Sequence, residues 1–147
     1  MPGSKSAITT SRLLSAIRGA RFAGDAIAYH NCARDPVFHE RLYQKMQEKG
    51  TSAQDMIART GIERSYYYHI LSGSKMPGRN MVLRICLALE LPLDETGRML
   101  SLAGAGALYA RVRRDALLIF AVQHKLGMQA ANDLLLSQGE APLLIKS

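Results

Sequence analysis

Two stretches of the chain, set 35 positions apart, carry the same pattern of residues. Leu83, Leu91, Leu100, Gly104 and Leu108 recur as Leu118, Leu126, Leu135, Gly139 and Leu143. Conservative pairs fill the gaps, among them Val82 with Leu117 and Leu93 with Met128. Each copy reads as a helix, a tight turn, a second helix and a glycine stop. A repeat of this length marks a supersecondary unit that buries its apolar face only by stacking on a neighbour. The second half of the chain is therefore constrained to stacked helical hairpins.

The residues before the repeat continue the helical reading. Asp35-Pro36 signals a helix start, since proline is favoured at the first helical position. Phe38, Leu42 and Met46 then recur every fourth residue until Gly50. A short second helix is expected over 53–59, capped by Thr51 or Ser52, with Asp55 completing a near capping box and Met56 and Ile57 pointing inward. Gly61 permits a left-handed turn, Ile62 drops into the core, and a third helix covers 63–71 until Ser72-Gly73. The segment SGSKMPG is a surface turn by its glycines, proline and lysine. A fourth helix over 79–90 sets Val82, Ile85, Cys86 and Leu89 on one stripe. No segment alternates as a strand does, so the expected fold class is all-α.

Composition narrows the function classes. With 48% hydrophobic residues among 147, the chain can bury a core. A net charge of +7 suits an anionic partner. The charge is spread along the chain, and only Arg111, Arg113 and Arg114 cluster; they are read as a helix start, with a phosphate-contacting edge as the alternative. Cys32 and Cys86 alone build no disulfide framework, which suits a reducing compartment, and Cys86 is expected to be a small buried hydrophobe. No apolar run is long enough for a membrane span, and no signal-peptide pattern opens the chain. His30, Cys32 and His39 lack the spacing of a zinc module, so no metal and no cofactor are expected. Neither a phosphate-cradling glycine loop nor a nucleophile elbow occurs, and the chain is not expected to be an enzyme.

The stretch from 36 to 95 resembles the helix-turn-helix domain of the lambda-repressor and Cro type, the XRE family. The resemblance rests on Thr51-Ser52, Gly61-Ile62, Arg64-Ser65, Gly73, Pro77 and the close Ile85, Ala88-Leu89, Leu93-Asp94-Glu95. Phe38, Glu40-Arg41-Leu42 and Glu48-Lys49-Gly50 fall at the family spacing of the first helix. The C-terminal continuation is similar to the extension of a bacterial subgroup of these regulators. The resemblance implies a domain of about five helices over 36–95, followed by a helical-hairpin extension over 96–147 that repeats 80–108. Residues 1–35 read as an N-terminal arm, expected to be partly disordered, with a short helix over 11–22.

By helical phase, Tyr67 and Ile70 of the third helix face inward, and Arg64, Ser65, Tyr68 and His69 face out. Arginine makes a bidentate pair with guanine, and serine donates to a base edge or a phosphate. The expected DNA-binding residues are therefore Ser52, Arg64, Ser65, Tyr66, Tyr68, His69, Lys75 and Arg79, with Ser52, Lys75 and Arg79 placed for phosphates. The resemblance implies a cytoplasmic, bacterial or phage-encoded transcriptional regulator of double-stranded DNA, a repressor acting as a dimer. The competing expectation is a protein-interaction module that keeps the fold without reading DNA, binding a protein partner through the Tyr66-Tyr67-Tyr68 cluster and the C-terminal helices.

Overall fold

In the computed structural model, residues 36–144 are described, and they contain seven α-helices and no strand. The expected arm over 1–35 lies outside the described residues. Helix α1 runs Phe38–Lys49, α2 Ala53–Thr60, α3 Arg64–Ser72, α4 Arg79–Ala88, α5 Leu93–Leu102, α6 Arg113–Gln123 and α7 Met128–Ser137. The all-α reading stands. Helix α1 starts two residues after Pro36, because the Glu40 carboxylate accepts the Val37 N–H at 3.1 Å and so sets the cap at Val37. The expected division at residue 95 falls inside α5.

Helix α4 holds the centre. Every residue from Val82 to Leu89 is buried, so this helix is covered on all sides rather than along one stripe. It packs against α2, α5, α6 and α7. Helix α1 lies across α3 and α5 and supplies Phe38, Leu42 and Met46 to the same core. Met56, Ile62, Tyr67 and Ile70 close that core from the α2–α3 side. Lys45 is buried on α1 and pairs with Glu48 and, across to α5, with Glu95. Cys86 is buried as expected, and loss of hydration pushes its thiol up to about 12, leaving it protonated.

The sequence repeat is a structural repeat. Helices α5 and α7 begin and end 35 residues apart, as do the glycines that follow them, Gly104 at φ 68° and Gly139 at φ 75°. The turns inside the two hairpins match as well. Among the described residues, Glu90 at φ 54° and Lys125 at φ 53° are the two non-glycine residues in the left-handed region, again 35 positions apart.

A side chain held there costs about 1–2 kcal/mol, whereas glycine costs about 0.5–1 kcal/mol through the unfolded chain. The two sites differ in charge: Glu90 opposes the negative carbonyl end of α4, and Lys125 complements that of α6. Glu90→Gly should therefore stabilise the protein by about 1 kcal/mol, while Lys125→Gly should change it little. Urea melts of the two variants side by side check the asymmetry.

Candidate nucleic-acid interface

The unit α2–turn–α3 is built from short-range contacts. Ser52 caps α2 by accepting the Asp55 N–H on its Oγ at 3.1 Å, and Asp55 returns the favour to the Ser52 N–H at 3.2 Å. These hydrogen bonds hold the Asp55 carboxyl below its usual pKa. The Ser52 hydroxyl also hydrogen-bonds the Asp55 carboxylate, at an exposed helix start. At the far end, the Thr60 Oγ donates to the Met56 carbonyl at 2.6 Å and accepts the Ile62 N–H at 3.2 Å, spanning the turn. Gly61 sits between them at φ 70°. Glu63 then caps α3, its carboxylate accepting the Tyr66 N–H at 3.0 Å.

The three consecutive tyrosines of α3 fall in three different environments, as 100° steps require. Tyr67 is 0% exposed, its hydroxyl turned to the Met46 sulfur at 3.2 Å, and burial raises its pKa. Tyr66 is half-buried and packs on the core. Tyr68 is 43% exposed, and the Arg64 guanidinium lies over its ring, 5.4 Å from the centroid. Arg64 and Ser65 are exposed beside it, so the first turn of α3 is polar outside and anchored behind by Tyr67 and Ile70.

The other expected residues divide. His69 is exposed, but its Nδ1 meets the Ser74 Oγ at 3.0 Å in a hydroxyl cluster that closes the end of α3. Lys75 is exposed in the loop that follows. Arg79 is placed differently from the sequence reading. Its guanidinium is bidentate to Asp115 at 2.9 and 3.2 Å and donates to the carbonyls of Gly106 and Ala107 at 2.9 and 2.8 Å. Four donor contacts within the chain turn it toward the loop after α5 rather than toward solvent. The same clamp recurs 35 residues on: Arg114 donates to the carbonyls of Ala141 and Pro142 at 2.8 and 3.3 Å. Arg113 opens α6 and pairs with Glu140 at 2.7 Å.

His39, weighed above as a metal ligand, has its ring packed against Gly73, where an added Cβ would come within 2.6 Å of it. His30 and Cys32 lie outside the described residues, and among those described no cluster of three His, Cys, Asp or Glu side chains is arranged to hold a metal. No described helix is long and apolar enough to cross a membrane.

Residues 40–103, from the first turn of α1 to the end of α5, match the family model of a helix-turn-helix domain. This part of the chain is a helix-turn-helix domain. The match accords with the resemblance read from the sequence and makes DNA binding the coarse function of the domain. No curated protein and no solved structure matches the chain. Within the helix-turn-helix domain, sequence reasoning found the exposed residues of α3 but missed Thr60, Arg84 and the Arg79–Asp115 clamp. Arg84 carried a signal, a cation in the middle of an apolar helix. It is buried and donates from Nε to the Thr60 carbonyl at 2.9 Å, finishing α2.

Asp115 gives this clamp a pH dependence. Burial disfavours its charged form, but hydrogen bonds from Arg79 and the Tyr109 N–H, with the charges of Arg79 and Arg114, outweigh burial and hold the pKa below the ordinary 3.8. A depressed carboxyl stabilises fully above its unfolded value, and the contribution is lost as pH falls through that value toward the folded one. Stability should thus drop below about pH 4 in the parent. Asp115→Ala should lose about 2 kcal/mol at pH 7 and show a flatter acid limb, measured by thermal melts across pH.

Proposed function

We propose that the chain is a sequence-specific DNA-binding transcriptional regulator that places the first turn of α3 in the major groove. The observation that carries this reading is the two-sided character of α3, with Arg64, Ser65 and Tyr68 exposed and Tyr67 and Ile70 fully buried. A reading helix needs such a protruding polar start on a fixed rear face. Arg64 is the guanine-reading residue, oriented by the Tyr68 ring beneath it. Ser65 reaches a base edge or phosphate, and Ser52 at the start of α2 and Lys75 take phosphates. Tyr66 and His69 contribute at the edge of this face. Arg79 stands apart from it, four of its five N–H donors being held by the clamp.

In this reading the protein works in the cytoplasm as a dimeric repressor, since one such helix contacts few base pairs and two half-sites are read together. Exposed Phe120 and Leu136 on the second hairpin, at 47% and 55%, supply apolar surface for self-association. A second reading, a protein-interaction module, is favoured by one observation: Tyr68 and Met76 expose apolar surface on either side of the α3 end.

Binding to a site selected from random DNA tests the assignment. Arg64→Ala should leave stability within about 0.5 kcal/mol yet cost about 1–3 kcal/mol of specific affinity. Tyr67→Ala should cost about 3 kcal/mol or more of stability, and lose DNA only by unfolding. Binding should weaken steeply with salt, in proportion to the phosphates contacted. Equal affinity of Arg64→Ala and parent, or salt-independent binding, favours the interaction module instead.

A further inference from the structure

Three separate parts of the chain meet over one glycine of the helix-turn-helix turn. A methyl group placed on Gly61 would lie 2.9 Å from Leu144 Cδ2, 3.6 Å from Arg84 Nη2 and 3.8 Å from Met128 Cε. Arg84 belongs to α4, Met128 opens α7, and Leu144 follows α7. Gly61 itself stays exposed, but on the side where a Cβ would stand, the turn between the two helices of the motif is flanked by Met128 of the second hairpin and by Leu144.

Leu144 is tied in place. Asn132 on α7 is buried, and its Oδ1 accepts the N–H groups of Leu143 at 2.7 Å and Leu144 at 3.1 Å. Its Nδ2 donates to the Leu144 carbonyl at 3.0 Å. One carboxamide thus holds the main chain of two consecutive residues, while Leu143 is buried beside it. The repeat does not demand this arrangement. The residue 35 positions before Asn132 is Gly97, which has no side chain with which to hold Tyr109, the counterpart of Leu144.

We infer that Leu143-Leu144 is a strap that locks the α2–α3 turn, with Leu144 and Asn132 acting as positioning residues for DNA reading; the inference rests on the function proposed above. Glycine has the widest backbone freedom of any residue, and a turn built on it keeps one shape only when its surroundings fix it. Thr60 and Arg84 fix the α2 side of Gly61, and Leu144 flanks it where a Cβ would stand. With the strap in place, α3 leaves the turn in a single direction. With the strap released, Gly61 regains its alternative conformations and the first turn of α3 loses its aim. Anything that draws Leu143-Leu144 away from Asn132 then lowers DNA affinity without touching α3.

The test uses the full chain with Leu144→Ala, Asn132→Ala, the conservative Leu144→Ile and the exposed α7 control Gln129→Ala. Backbone amide exchange is followed at Gly61, Ile62 and Tyr66 and, as reference, at Leu83 and Leu87 in α4, alongside titration of the selected DNA site. Leu144→Ala and Asn132→Ala should speed exchange at the turn while α4 stays protected, and should weaken DNA binding about fivefold to tenfold, the size of a typical coupling between sites. Leu144→Ile should restore both, and Gln129→Ala should change neither. Turn amides that exchange as in the parent, or turn and α4 amides that accelerate together, overturn the lock. If the parent itself binds no DNA, the proposed function fails, and the exchange data alone decide for or against the lock.

Discussion

The structure depends on the complete burial of α4. A helix covered on every side needs partners on every side, and two turns of buried sequence from Val82 to Leu89, apolar except for Arg84, oblige the chain to provide them. Helix α2 and the core residues of α1 and α3 cover part of it; α5 and the second hairpin cover the rest. The helix-turn-helix motif stands on this helix through Arg84, whose Nε ends α2. A cation in such a place is tolerated because it satisfies a carbonyl that the helix end leaves without a partner. The same side chain fixes where the turn begins.

Around that centre, the exposed chemistry is confined to the first turns of α2 and α3. The capping residues Ser52 and Glu63 make both starts rigid, and the outward residues of α3 are held by the Arg64–Tyr68 contact and by the His69–Ser74 hydrogen bond. Rigid backbone under a few exposed polar groups is the arrangement that recognition at a fixed register needs. The second hairpin adds a different resource, a wall against the turn and a separate apolar surface at Phe120 and Leu136.

Periodicity made the fold legible. Helix starts and stops at Ser52, Gly61, Gly73 and Gly104 follow local rules, and the inward phase of Tyr67 and Ile70 follows from the helical step. The 35-residue spacing disclosed the hairpins. What sequence could not disclose was pairing across distance. Arg79 looks like an exposed cation in a basic loop, and nothing local reveals that Asp115 and two carbonyls 27 and 28 residues away will claim it. Asn132 is equally silent, since its partners are main-chain groups with no sequence mark. Tyr66 was read as part of the outer face, and the structure has it half-buried on the core, at the boundary between the inner and outer phases.

The doubled arginine clamp also orders events in time. Arg79 and Arg114 each stand at the start of a hairpin and grip the loop that leaves it, so neither grip exists until its own hairpin has been synthesised and folded back. Every closure spans about thirty residues, short enough for the chain ends to meet quickly. The first clamp needs one thing more, the carboxylate of Asp115 from the next hairpin. As the chain lengthens, the first hairpin is thus sealed by the arrival of the second, and assembly runs in the direction of synthesis.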